Sequence, residues 1–112
     1  MSRPEEHLPL HPLEFRILLA LLDGPSYGTR IVEAVEARAG GGRRLYPANL
    51  YRRIRSLRSD GLLEEAPPPA DADPRRSYLR LTDLGRRAAA EEARRLRDLV
   101  TDAAEHDLLP EG

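Results

Sequence analysis

The sequence predicts a mainly α fold with one small β-hairpin. Apolar residues recur at helical spacing in four separate stretches. Turn and loop residues punctuate them: Asp23-Gly24-Pro25, Gly40-Gly41-Gly42, Asp60-Gly61 and Pro67-Pro68-Pro69. Two short segments flanking the prolyl stretch have the pattern of strands. At 112 residues the chain has room for one domain and an added helix, too little for a two-domain enzyme with a cleft. It has no cysteine, which excludes disulfides, thiol nucleophiles and thiolate metal sites.

Each element has a local reason. Pro12 suits the opening of a first helix whose body is residues 13–22, with Leu13, Ile17, Leu18, Leu21 and Leu22 as its buried face. Asp23-Gly24-Pro25 stops it. A second helix is expected to start at or beside Ser26 and run to about Ala39, with Tyr27, Ile31 and Val35 as its apolar stripe and Val32 as a further candidate. Gly28 is costly inside a helix, and close approach to the first helix would explain it. A third helix, from about Pro47 to Ser59, buries Leu50, Ile54 and Leu57 at i, i+4 and i+7. Tyr51 sits at its edge, and Asn49, Arg52, Arg53, Arg55, Ser56 and Ser59 are left outward. Gly61 suits the left-handed position that ends it.

Residues 62–66 and 75–81 then read as two strands joined by a prolyl loop. In the second, Ser77, Leu79 and Leu81 alternate with Arg76, Tyr78 and Arg80. Thr82 is a good N-cap for a last helix from Asp83 to about Glu105. Helix, helix, helix, hairpin, helix is the order of a winged helix-turn-helix with a C-terminal dimerisation helix. The expected boundaries are a flexible tail over 1–9, the winged unit over 10–82, the dimerisation helix over 83–107 and a tail over 108–112. The third helix of such a unit can enter the DNA major groove.

Charge is unevenly placed. The net charge is −1, and all 18 basic residues are arginine. Residues 43–80 carry nine arginines and five acids, net +4, between ends of net −2 and −3. Arg43, Arg44, Arg52, Arg53, Arg55 and Arg58 follow one another with no acid between them. Such a block repels itself and marks an anionic partner, or else a solvated face in an arginine-biased chain.

Three segments carry a further pattern: residues 22–31, with the pair Tyr27-Gly28; residues 50–63, with Leu50-Tyr51 leading to Gly61-Leu62-Leu63; and residues 75–85, with Tyr78-Leu79-Arg80-Leu81-Thr82-Asp83-Leu84-Gly85. In this order and spacing they resemble the PadR family of bacterial transcriptional regulators. The chain departs from the family pattern at Ala48 and Asn49, where the third helix usually opens with glycine and threonine, and at Leu79, usually a second aromatic. The short last helix fits the compact branch of the family. The resemblance implies a homodimeric repressor of an inverted-repeat operator, pairing through the C-terminal helix. It also implies a response to a small hydrophobic or phenolic effector near the dimer interface.

On these grounds double-stranded DNA and a second copy of the chain are the expected partners. The candidate DNA contacts are Arg43, Arg44, Asn49, Arg52, Arg53, Arg55, Arg75 and Arg76. Arginine can fork onto guanine and asparagine can pair with adenine, which places Asn49, Arg52 and Arg53 first. Arg43 and Arg44 suit backbone phosphates, and Arg75 and Arg76 sit at the base of the wing. On the last helix, Ala89, Ala93, Leu96, Val100 and Ala103 recur at coiled-coil-like spacing, and Leu99 widens that seam. Phe15 lies off the main stripe of the first helix and is the candidate for an effector cavity.

No cofactor, metal site or catalytic constellation is expected. His7 and His11 lie in a prolyl segment, and Gly40-Gly41-Gly42 lacks the lysine of a phosphate loop. The longest apolar run, residues 17–22, is too short to span a bilayer, and no signal-peptide core is visible, so a cytoplasmic location is expected. The rival reading is a winged-helix protein-interaction module with no specific DNA target. Retention on DNA with steep salt dependence separates the two.

Overall fold

A computed structural model describes residues 3–39 and 47–109. Helix α1 (Pro12–Ala20) starts with Pro12 in its first turn. His11 caps it: its Nδ1 accepts from the Leu13 N–H at 3.1 Å, and Glu14 accepts from the His11 N–H at 3.1 Å. Helix α1 buries Ile17 and Leu18, and Leu21 follows them into the core. Leu22, expected on this face, is exposed, because the helix ends at Ala20 and the chain turns before Leu22 can complete the stripe.

The chain does not pass directly into the second helix. Ser26–Tyr27 form a two-residue strand, β1, and α2 begins at Gly28 and runs to Ala39. Tyr27 therefore belongs to the sheet rather than to the helical stripe, which is Ile31, Val32 and Val35. Gly28 does mark a close approach, but to the third helix: a Cβ there would stand 3.0 Å from Cε1 of Tyr51.

Helix α3 (Pro47–Ser59) buries Leu50, Ile54 and Leu57 as its spacing predicts. It closes in a Schellman turn. Gly61, at φ +81°, donates to the Arg58 carbonyl at 3.1 Å, and Leu62 donates to the Leu57 carbonyl at 2.9 Å.

The wing is shorter in strand and wider in sheet than expected. Strand β2 is Leu63–Ala66 and β3 is Tyr78–Leu81. Both pair antiparallel, and β1 adds to the other edge of β3, in the order β1-β3-β2. Residues 75–77 lie outside the ladder, where Arg75 turns back onto Asp73. Leu79 enters the core. Tyr78 points to the other face yet is also buried, since its cross-strand partner Tyr27 covers it edge-to-face at 5.5 Å.

Helix α4 (Asp83–Glu105) is capped by Thr82, whose Oγ1 accepts from the Gly85 N–H at 2.9 Å. Its first turns are not free for a partner: Gly85, Ala88, Ala89 and Glu92 are all buried. The segment expected as a tail holds a turn of 3-10 helix, Pro4–His7, packed on α4 with Pro4 buried. Leu10 belongs to the main core.

Candidate nucleic-acid interface

With Leu50, Ile54 and Leu57 facing the core, the opposite side of α3 presents Ala48, Arg52, Arg55, Ser56 and Ser59, all exposed. These side chains point away from the core because the helix is docked by one face only. Arg52 donates from its guanidinium to the Asn49 side-chain oxygen one turn back. That contact occupies the atom through which Asn49 would accept from adenine, and Asn49 is itself half-buried. Arg53, expected outward, lies at the flank of the helix. It is half-buried, and its Nε is buried without a hydrogen-bond partner among the described residues. A cleft beside it joins Asn49, Arg52, Arg53 and Ser56 to the start of α1 at His11 and Glu14.

Other arginines of the basic stretch are occupied. Arg58 pairs with Glu65 at 2.8 Å, and Arg80 pairs with its cross-strand neighbour Glu64 at 2.8 Å. Arg75 donates from its backbone N–H to Asp73 at 2.9 Å and from its guanidinium at 3.2 and 3.3 Å. The Arg75 backbone N–H first, then its guanidinium, holds the Asp73 carboxyl below its ordinary value. The wing tip thus carries a charge beside its own counter-charge. The Arg76 guanidinium lies 4.1 Å from the centre of the Tyr27 ring. Arg43 and Arg44 lie outside the described residues.

The electrostatic contrast is local. Arg52 and Arg55 make no ion pair among the described residues, whereas Arg58, Arg75 and Arg80 do. Arg30, exposed in the first turn of α2, is likewise without an acidic partner there. Sequence reading did not single it out. Its relation to α3 depends on the packing of α2, where the Tyr51 hydroxyl donates to Thr29 Oγ1 at 3.4 Å.

The outer part of α4 is a second exposed surface. Leu99 and Val100 are 52% and 55% exposed, and Ala93 is exposed, with Leu96 and Ala103 half-buried. Ala89 is withdrawn from the expected seam: at 5% exposure it packs in the chain's own core, because the inner turns of α4 close over α1 and the sheet.

The family model of the transcriptional regulator PadR-like family matches residues 17–91, from α1 into α4. The chain belongs to this family. Membership makes it a DNA-binding transcriptional regulator and not an enzyme. The fold is similar to that of a PadR family regulator from Clostridium difficile R20291, at TM-score 0.71 and 18% identity over 86% of this chain and 98% of that one. It is similar to a PadR-like regulator from Bacillus cereus ATCC 14579, at TM-score 0.69 and 20% identity over 88% and 93%. Bacillus subtilis PadR, solved in complex with operator DNA, aligns at TM-score 0.60 and 19% identity over 74% of this chain and 47% of that one. At such identities the likeness is one of fold. No curated protein matches the sequence.

Phe15 is half-buried and packs against the core cluster. A cleft of about 520 Å³ does open between α1 and α2, lined in part by Arg16, Leu19, Val35 and Arg38, and Phe15 does not line it. Among the described residues no three histidine, aspartate or glutamate side chains gather as a metal site. No described helix is long and apolar enough to cross a membrane.

Proposed function

We propose that this PadR-family chain is a homodimeric repressor that reads an inverted-repeat operator with α3. The observation that carries the reading is the outward face of α3, where Arg52 and Arg55 make no ion pair among the described residues while Arg58, Arg75 and Arg80 do. Arginine on an exposed groove-sized helix is suited to guanine O6 and N7. The similar fold of Bacillus subtilis PadR, solved in complex with operator DNA, supports an operator as the partner. Arg43, Arg44 and Arg76 are assigned to the DNA backbone. Asn49 is assigned to orienting Arg52, and Arg53 to a flanking phosphate. Arg75, paired with Asp73, is assigned a lesser share.

Pairing is assigned to the outer half of α4, through Ala93, Leu96, Leu99, Val100 and Ala103. A two-fold dimer presents two recognition helices and matches a palindrome. Changing Leu99 and Val100 together to aspartate is expected to give a folded monomer by light scattering, its melting lowered only by the loss of pairing, because both side chains are exposed in the single chain. A persistent dimer rejects this interface. Relief of repression by a small hydrophobic or phenolic effector near the dimer interface completes the reading, with Phe15, which lies outside the α1–α2 cleft, as the aromatic assigned to it.

Selection of bound sequences from random duplex DNA tests the function. The expected result is a palindromic consensus bound with steep salt dependence, the logarithm of affinity falling by about 0.9 per neutralised phosphate for each tenfold rise in salt. Recovery of unenriched DNA rejects sequence-specific regulation.

A further inference from the structure

Glu92 is the one buried charged side chain among the described residues, at 2% exposure. It is also the last buried position along α4. Its carboxylate accepts from the Leu10 backbone N–H at 3.1 Å, across 82 positions of sequence, and from Arg95 at 2.5 and 3.1 Å. Leu10 is anchored in turn, at 5% exposure in the core, and the Pro4–His7 turn before it packs on α4. A buried carboxylate is retained only where its oxygens are satisfied.

We propose that Glu92 is a positioning residue that, with the strap of residues 3–10, fixes the direction of α4 relative to α3 and so sets the half-site spacing the dimer accepts. Helix α4 is anchored along its inner turns by Gly85 against the Leu62 backbone and by Ala88 and Ala89 in the core. Its outermost anchor is Glu92 against Leu10, with the Pro4–His7 turn packed on the same helix. A rod clamped only along its inner turns can rock about them, and an anchor further out restrains it. From Gly85 to Ala103 a helix extends roughly 27 Å. Rocking by about 7° moves that end by about 3 Å, close to one base-pair step of 3.4 Å. The outer contact therefore acts on the scale that distinguishes one operator spacing from the next. Spacing selectivity rests on the dimeric operator reading above, whereas the fixing of α4 does not.

The test has two arms. The chain has no cysteine, so spin labels can be placed on Ser59→Cys in α3 and Thr101→Cys in α4, with labelled chain diluted into unlabelled chain. The Glu92→Ala variant is expected to widen the interlabel distance distribution about twofold, the displacement that rocking at this lever allows. Glu92→Gln keeps an acceptor for Leu10 and is expected to lie nearer wild type. A chain lacking residues 1–8 reports on the strap without touching α4, and decides the matter if Glu92→Ala does not fold. It too is expected to widen the distribution. In the second arm, palindromic duplexes differing by one base pair in spacer compete for binding. Wild type is expected to discriminate by about tenfold and Glu92→Ala by no more than about threefold, with half-site affinity unchanged. An unaltered distance distribution in the strapless chain and in any folded Glu92→Ala overturns the proposal. So does an unaltered spacer preference in either altered chain. A wild-type chain that binds no palindrome overturns the operator reading and the spacing role with it, while the distance arm still decides whether Glu92 fixes α4.

Discussion

Replacing Gly85 with alanine is expected to destabilise the domain by roughly 2–4 kcal/mol, a large part of the ~5–15 kcal/mol typical of a whole domain. The sign is not the one helix propensity suggests. Gly85 lies in the first turn of α4, where alanine is favoured over glycine by about 1 kcal/mol in a helix interior. Sterics oppose this. The added Cβ would stand 2.1 Å from the Leu62 carbonyl oxygen and 3.0 Å from its carbon, both backbone atoms with no rotamer to escape through. Helix α4 would have to withdraw from the turn after α3. Withdrawal strains the hydrogen bonds that dock it: Thr82 N–H to the Leu62 carbonyl at 3.1 Å, and Thr82 Oγ1 to the Gly61 carbonyl at 2.6 Å. Overpacking of about 1–3 kcal/mol and two hydrogen bonds of about 1 kcal/mol each outweigh the propensity gain. Urea denaturation of the variant measures the difference. A midpoint equal to or above wild type would show that the turn can yield.

Replacing Arg52 and Arg55 together with alanine is expected to abolish sequence-specific DNA binding and leave the fold intact. A bidentate arginine–guanine contact discriminates by about 1–3 kcal/mol, so losing two weakens specific binding by roughly thirty-fold to twenty-thousand-fold at each half-site. Both side chains are exposed and neither supports the core, so melting should stay close to wild type. Arg58→Ala is the matched control. Arg58 lies on the same helix and carries the same charge, but it pairs with Glu65 at 2.8 Å with both side chains largely in solvent. Such a pair contributes little to stability. Its loss is expected to reduce affinity far less than that of Arg52 and Arg55. Anisotropy titrations at fixed salt give the comparison. Operator affinity retained in the Arg52/Arg55 variant would remove α3 from the reading surface.

The elements legible in the sequence are those whose cause is local. Helix α3 is the clearest, since Leu50, Ile54 and Leu57 lie on one side of any helix that contains them, and Gly61 is the residue most tolerant of the left-handed turn after it. Which arginines face away from the core follows mostly from the same periodicity. Arg53 shows its limit. Its place at the flank, half-covered next to the start of α1, depends on a neighbour that periodicity does not describe.

Strand β1 was not legible, because two residues carry no periodic signal and its partners Leu79 and Tyr78 are more than fifty positions away. Gly28 was legible as a close approach but not as one to Tyr51, since spacing names no partner. Ala89 illustrates the same ambiguity on α4. The stripe that continues it toward Val100 is regular, yet its inner end is covered by the chain's own core and its outer end is bare. Glu92 reads as one acid in a charged helix until Leu10 is brought to it.

The sequence by itself determined the fold class, the order of four helices and a hairpin, the family, and the arginine-rich helix docked by its apolar face. Periodicity, turn chemistry and capping act over a few residues and are written into the chain. Only the tertiary structure decided which arginines remain uncompensated, how far along α4 the core extends, and that a buried carboxylate ties the two ends of the sequence together. Those outcomes depend on contacts between residues distant in the chain, and such contacts exist only once packing has chosen among the faces that local chemistry leaves open.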